Sequence, residues 1–323
     1  MAHPKGKTIN MGYQNTFSIL YQSIKAGRPV HWIKNFSLFA ALIFSGNLEN
    51  QFLLWRVIFA FVSFSFATSA TYVFNDALDA ASDKLHPIKR FRPIASGKLP
   101  LFVAYFEIVF LILLSLFIAS QINTLYLLTI VGYLSLQAAY SLGLKNIHII
   151  DILIIAAGFV IRVYAGAFAI NVHLSVWFLL CVISSALFLA SGKRRSELNI
   201  LESSGVTRKS LLKYKRELLN SYVTMFGNAA WMSWALFTFF ESPQVSIPVW
   251  IVLAELSRTT AINKLLMITI PVVIFGIMRY QSLIFAGKSE APEKLLLTDK
   301  SLITSVILWL GLVVWILYGG ISI

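Results

Sequence analysis

NDALDAASDKLHPIKRFRPIASG, Asn75–Gly97, follows without a break on the apolar run Trp55–Phe74, which is long enough to cross a bilayer. If the helix of that run continues, Asn75, Asp79 and Asp83 fall at i, i+4 and i+8 and share one face, with Asp76 beside it. Carboxylates this close repel one another unless a cation lies between them. Oxygen ligands of this kind suit Mg²⁺, which takes a few carboxylates together with the oxygens of a bound phosphate. Cations follow at once, as Lys84, Lys89, Arg90, Arg92 and Lys98. A metal-binding acidic face beside a row of phosphate-binding cations is what a diphosphate substrate needs. The plainer alternative is a solvated helix end with ordinary loop charges. Polar clusters at the ends of membrane helices are seldom incidental, which favours the first reading.

Composition supports a membrane setting. Of 323 residues, 58% are hydrophobic and only 13% charged, and the mean hydropathy is +0.75, so the chain reads as an integral membrane protein. The opening MAHPKGKTINMGYQN is polar and shows no cleavable signal, so the first apolar run is expected to act as an uncleaved insertion signal. The one cysteine, Cys181, lies in an apolar run and excludes a disulfide framework or a cysteine metal site. The net charge of +13 sits in loops between apolar runs, without a basic domain. That distribution points to anionic lipid head groups and phosphorylated substrates, and away from nucleic acid.

The apolar runs are Phe36–Gly46, Trp55–Phe74, Leu101–Ala119, Leu125–Leu142, Ile149–Ile170, Val176–Ser191, Tyr222–Phe240, Leu265–Ala286 and Leu302–Tyr318. They predict an all-α integral membrane fold of about nine transmembrane helices, the first needing Ile33 to about Leu48. The chain reads as one polytopic domain, with 1–32 as an N-terminal cytoplasmic segment and 33–323 as the helical bundle. Lys and Arg gather in the N-terminal segment and after the second, fourth, sixth and eighth runs, while the turns at Gln121–Asn123, Asn171–His173 and Glu241–Pro248 have neither. Positive charge stays cytoplasmic, which places the N-terminus and the Asn75 stretch inside and the C-terminus outside. Val249–Asn263 fits this pattern less well, since a tenth short span there would reverse the C-terminus.

Three further polar segments fall on the same side. AGRPVHWIKNF carries Arg28, His31, Trp32, Lys34 and Asn35; YSLGLKNIHIID carries Tyr140, Lys145, His148 and Asp151; LASGKRRSELNILESSG carries Lys193, Arg194, Arg195 and Glu197. Lys193 and Glu197 also suit a plain i, i+4 helix pair. Arg162, deep in Ile149–Ile170, is costly unless it faces the bundle interior, with a carboxylate or a substrate phosphate as its expected partner.

On these residues the chain resembles the UbiA superfamily of intramembrane prenyltransferases, whose first motif, NDxxDxxxD, is intact as Asn75, Asp76, Asp79 and Asp83. The resemblance implies a UbiA-like nine-helix bundle with cytoplasmic polar loops forming an active-site cap, and Mg²⁺ held on a substrate diphosphate. The aromatic prenyltransferases of the superfamily carry a second aspartate-rich motif. Here that position has one aspartate, Asp151, and a lysine, Lys145, which offers a phosphate fixed positive charge. The chain resembles the decaprenyl-phosphate phosphoribosyltransferase branch, through RPVHWIKN, the Asn75 stretch, YSLGLK with Asp151, LFLASGKRRSEL, GIMRY and TDKSL.

That resemblance implies transfer of 5-phosphoribose from phosphoribosyl diphosphate to a polyprenyl phosphate in a bacterial plasma membrane, in the synthesis of a cell-wall precursor. It assigns Asn75, Asp79 and Asp83 to Mg²⁺ and diphosphate, with Asp76 in support. Lys89, Arg90 and Arg92 go to diphosphate or the ribose 5-phosphate; Lys34, Lys145, Lys193 and Arg194 go to the second phosphate group. Tyr140 and Asp151 would orient the sugar, and Arg28, Asn35 and Arg162 complete the substrate-binding set. The polyprenyl phosphate lipid, phosphoribosyl diphosphate and the membrane are the expected partners, with a homo-oligomer open. An aromatic prenyltransferase with a lipid diphosphate donor is the main alternative. A transporter of anionic solutes is a more remote one, because its charges would lie at several depths.

Overall fold

The computed structural model describes residues 16–86, 88–204, 214–241, 260–286, 295 and 298–319. The regular elements among these residues are all helical, without a strand. The elements are α1 (Thr16–Gly27), a 3₁₀ helix (Pro29–Leu38), α2 (Phe39–Phe44), α3 (Gln51–Leu78), α4 (Ala80–Lys84), α5 (Leu101–Ile122), α6 (Thr124–Leu142), α7 (Ile150–Ile170), α8 (Val176–Ser204), α9 (Arg216–Phe240), a second long 3₁₀ segment (Thr260–Thr269), α10 (Ile270–Phe285) and α11 (Lys300–Tyr318). Seven stretches of these are long and apolar enough to span a bilayer: Gln51–Leu78, Leu101–Ile122, Thr124–Leu142, Ile150–Ile170, Val176–Asn199, Lys264–Phe285 and Lys300–Tyr318. The chain is a multi-pass membrane protein.

The other two predicted spans take different forms. The seventh run lies in α9, whose Asn220, Ser221, Asn228 and Ser233 dilute its apolar character. The first is no continuous α-helix: Arg28 adopts the left-handed conformation, Pro29 follows, and a 3₁₀ helix leads into the six-residue α2. That segment lies against α7, where Gly166 meets the backbone of Leu38 so closely that a methyl group would overlap the Leu38 carbonyl. Of Val249–Asn263, residues 249–259 lie outside the described residues, and Thr260–Asn263 open the second 3₁₀ segment.

Small and polar residues set the helix contacts, as expected where lipid supplies no hydrophobic drive between helices. Ser63 and Ser115 exchange hydrogen bonds with each other's backbone carbonyls, at 2.9 and 2.8 Å, joining α3 to α5. The Tyr126 hydroxyl donates to the Ala60 carbonyl at 2.7 Å and joins α6 to α3. Asn123 caps α6 by accepting from Tyr126 N and donates from its amide to Phe168 O at 2.7 Å, which ties the α5–α6 turn to the end of α7. The resulting core brings Leu38, Leu42, Phe64, Tyr126, Tyr133 and Ala165 together.

Substituting Gly166→Ala should destabilise the bundle by about 1–3 kcal/mol through overpacking. Thermal unfolding in detergent will show a lower midpoint for Gly166→Ala and an unchanged one for Gly132→Ala, where an added Cβ meets nothing within 4 Å.

Candidate active site

Helix α3 stops at Leu78 and the chain turns at Asp79 into the short α4, yet the backbone bonds stay helical in spacing. Asp79 N donates to Asn75 O at 3.0 Å and Asp83 N to Asp79 O at 2.8 Å. The predicted one-turn spacing of Asn75, Asp79 and Asp83 therefore survives the helix end. Their side chains do not gather into a single cluster. They divide between two sets of cations.

The first set lies around Asp79. Lys145, on the short turn after α6, places Nζ 2.6 Å from Asp79 Oδ1 and 3.3 Å from Asn75 Oδ1. Asn75 Nδ2 donates back to Asp79 Oδ2 at 3.2 Å. The second set lies around Asp76, which is only 2% exposed. Arg28 Nη2 spans both Asp76 oxygens at 2.6 and 2.7 Å, and Arg92 Nη1 bridges Asp76 at 3.0 Å and Asp83 at 2.6 Å. Burial pushes the Asp83 carboxyl above its ordinary value against the pull of Arg92 and, more weakly, of Lys89. A cavity of about 340 Å³ opens beside this second set, lined by Lys25, Arg28, His31, Asp76 and Arg92 together with apolar side chains from the segment after α4.

A third cluster holds the start of α7. Asp151 and Arg194 are both fully buried and form an ion pair at 2.7 Å. The Tyr214 hydroxyl donates to Asp151 Oδ1 at 2.7 Å and accepts from Ile149 N at 2.8 Å, while Ile152 N also donates to Asp151. Burial and the hydrogen bond to Asp151 hold the Tyr214 phenol above its ordinary range, so it remains a neutral donor. Arg194 extends to Glu197 and, through Nη2, to the Tyr140 hydroxyl at 2.8 Å. Ile149 sits at φ 71°, ψ −46°, a strained conformation for a β-branched residue that the Tyr214 contact helps to hold.

The remaining predicted residues are more dispersed. Arg162 is buried, but its described partners are neutral: Asn35 Oδ1 at 2.8 Å, Gly158 O and the Tyr133 hydroxyl at 3.2 Å, with Phe64, Tyr133 and Phe159 rings within 5.6 Å. The expected carboxylate is replaced by dipoles and aromatic faces, and Asn35 also donates to Ser65 Oγ at 3.0 Å. Lys34, Lys89 and Lys193 are half-buried, and Arg90 is exposed over the Phe91 ring. Tyr214, Tyr133 and Lys25 escaped the sequence reading, because each lies outside the motifs and reaches the polar clusters only through folding. His86 also gains a role, since its Nδ1 accepts from Ile88 N and Lys89 N and shapes the turn that delivers Arg92.

Among the described residues no three His, Cys, Asp or Glu side chains converge as metal ligands. The Asn75–Asp79 pair nevertheless suits a hard cation: an ammonium already lies between an amide oxygen and a carboxylate, and Mg²⁺ needs only one or two carboxylates when phosphate oxygens complete its shell. Asp83 could join such a shell only by leaving Arg92.

Comparison with known proteins shows the family of the chain. The model of the UbiA prenyltransferase family matches residues 35–196. The chain is similar to the decaprenyl-phosphate phosphoribosyltransferase of Corynebacterium glutamicum, 37% identical over 91% of this chain and 86% of that protein. It is also similar to the enzyme of the same name from Mycolicibacterium smegmatis, 35% identical over 89% and 90% of the two chains. Among solved structures it resembles a UbiA homolog from Archaeoglobus fulgidus bound to GPP and Mg²⁺, with a TM-score of 0.65 and 17% identity over 94% of this chain and all of that one. At that identity the likeness is one of fold.

Asp151→Ala should cost about 3 kcal/mol, the lower end for a broken buried pair, because Arg194 would keep only the half-buried Glu197 as a carboxylate partner. Tyr214→Phe should cost about 1–2 kcal/mol through two lost hydrogen bonds. Chemical denaturation of each variant in detergent, compared with the parent, checks both the order and the size.

Proposed function

Because this chain belongs to the UbiA prenyltransferase family, we propose that it transfers 5-phosphoribose from phosphoribosyl diphosphate to a polyprenyl phosphate and releases diphosphate. The observation that carries this reading is Lys145 Nζ at 2.6 Å from Asp79, a fixed cation facing the diphosphate motif where a second carboxylate set would be needed for two metal ions. The relatives that match about nine-tenths of the chain bear the name of that activity. Decaprenyl phosphate, which their name specifies, is the acceptor we assign, and the product belongs to the supply of decaprenylphosphoryl sugar for the cell wall.

The chemistry asks little of a base. A lipid phosphate is already anionic at neutral pH, so its oxygen attacks ribose C1 directly as the bond from C1 to the diphosphate oxygen breaks, and diphosphate departs with the electron pair. The main demand is charge stabilisation on the leaving group. Asn75 and Asp79 are the residues that would hold Mg²⁺, which when bound would supply charge neutralisation to the leaving diphosphate. Lys145 adds a second, permanent cation beside the same oxygens. Arg92 is held by Asp76 and Asp83, which orient its guanidinium, and Lys89 and Arg90 lie on the same segment for phosphate contacts. Asp151 is buried too deeply to touch the sugar. It positions Arg194, which in turn holds Tyr140 towards the substrate. Arg162 with Asn35 and Tyr133 shapes the interior of the bundle behind the site. The loop charges support a site on the cytoplasmic side, and the bacterial relatives support a bacterial plasma membrane as its setting.

The test is product formation. Purified protein given radiolabelled phosphoribosyl diphosphate, decaprenyl phosphate and Mg²⁺ should form a labelled lipid, and EDTA should abolish it. Asp79→Ala should lose at least about a thousandfold in turnover while keeping its melting profile, on the scale of lost electrostatic stabilisation. Normal activity in that variant would overturn the assignment. Turnover of a prenyl diphosphate with an aromatic acceptor would instead move the chain to the quinone-forming branch.

A further inference from the structure

The cavity beside Asp76 lies apart from the Asn75–Asp79–Lys145 cluster, and three of its features go unused by the diphosphate centre. The first is charge. Lys25, Arg28 and Arg92 line it against a single lining carboxylate, Asp76, which is shielded at its floor while each arginine is 24% exposed. Arg28 spends one terminal nitrogen on Asp76, and Arg92 one on Asp76 and Asp83. The rest of each guanidinium fork is available to an anion, in the planar arrangement that suits phosphate oxygens.

The second feature is an organised wall. The Tyr72 ring lies 5.1 Å beneath the Arg28 guanidinium and 5.0 Å from the His31 ring, so one aromatic surface fixes both. Arg28 keeps a left-handed backbone, an uncommon conformation for a residue other than glycine. Ser69 holds that turn by donating to Gly27 O at 2.8 Å and accepting from Trp32 Nε1 at 2.9 Å. The turn aims Arg28 at Asp76 and brings His31 to the same opening. A cation in the last turn of α1 would favour the helix dipole wherever it pointed. That effect explains a lysine at position 25 but not its place on the cavity wall. The third feature is size: about 340 Å³ is at the lower end for small-ligand sites, enough for a sugar phosphate or a lipid phosphate head group.

We propose that this cavity is a metal-independent site for a phosphate monoester, with Lys25 and His31 completing the contacts begun by Arg28 and Arg92. The proposal rests on the transfer reading, in which two phosphates other than the leaving diphosphate must be bound: the ribose 5-phosphate of the donor and the phosphate of the lipid acceptor. Both are phosphate monoesters and carry the same chemistry to the site. Two centres one turn apart on the same helix end then divide the work, one metal-assisted around Asp79 and one built from fixed cations around Asp76.

Calorimetry on the full-length protein in detergent, with EDTA present to silence the metal centre, tests this with ribose 5-phosphate and geranyl phosphate as separate probes. At least one should bind the parent protein, and its affinity should fall about tenfold in Lys25→Gln, the loss of one charge-assisted hydrogen bond, and further in Lys25→Glu. Lys25 is exposed, so neither variant threatens the fold. Binding of ribose 5-phosphate assigns the cavity to the donor, and binding of geranyl phosphate to the acceptor. If neither probe binds without metal, or if Lys25→Glu binds as the parent does, the proposal is overturned. Product formation with Mg²⁺ is read in a separate assay, so a failure of the transfer reading would not be confused with a failure of this one.

Discussion

Three carboxylates within the span Asp76–Asp83, at the end of a membrane helix, cannot remain charged side by side without cations from elsewhere in the chain. This constraint organises the polar end of the molecule. Arg28 reaches Asp76 from the break after α1, Arg92 comes from the segment after α4, and Lys145 comes from the turn between α6 and α7. Three separate connections are thereby fastened to one helix end. Each contact is partly exposed, so none of them alone contributes much to stability. Their value under the proposed transfer is that they would place donors toward anionic substrates.

Deeper in the bundle the polar groups are handled differently. Asp151 and Arg194 are fully buried and compensate each other, with Tyr214 and Tyr140 taking up further hydrogen bonds. Such a pair is weak evidence of net stability, since desolvation offsets much of its attraction. What it secures is geometry: removing either partner leaves a buried charge, so the start of α7 and the end of α8 stay in register. Arg162 solves the same problem without a carboxylate, using an amide, a carbonyl, a phenol and three aromatic faces. It joins α7 to the 3₁₀ segment through Asn35, close to where Gly166 admits Leu38.

The division of the acidic motif has a chemical consequence. Asn75 and Asp79 face a lysine, whereas Asp76 and Asp83 are committed to arginines. The proposed transfer between two anionic substrates involves more phosphate than one metal centre would neutralise, and cations divided between two sets would meet that need. An alternating-depth pathway for a solute would distribute its charges through the bundle. Here the described ion pairs lie near the ends of α3, α6 and α8 and, as Arg279–Asp299, between α10 and the start of α11, while the deep cation Arg162 is enclosed by protein.

Much of this was legible in the sequence. The acidic motif, the cation row behind it and the near-spanning length of most apolar runs follow from local spacing, because helix periodicity and bilayer thickness act on adjacent residues. Those features alone determined a membrane bundle with a charged end that pairs carboxylates and cations. The broken first segment was not legible: Phe36–Gly46 is apolar enough for a helix, and tertiary contacts hold Pro29–Leu38 as a 3₁₀ helix, through the close approach of α7 at Gly166, the bond from Arg162 to Asn35, and the bonds of Trp32 and Asn35 to Ser69 and Ser65 on α3. The pairing of cations with carboxylates was equally hidden, since Arg28 lies 48 residues from Asp76 and Lys145 lies 66 from Asp79. The same holds for Tyr214 on Asp151, from 63 residues away. Composition and spacing determine which charges exist and on which helix face they begin. Which charge meets which is decided by tertiary structure, because an ion pair depends on distance in space and the sequence records only distance along the chain.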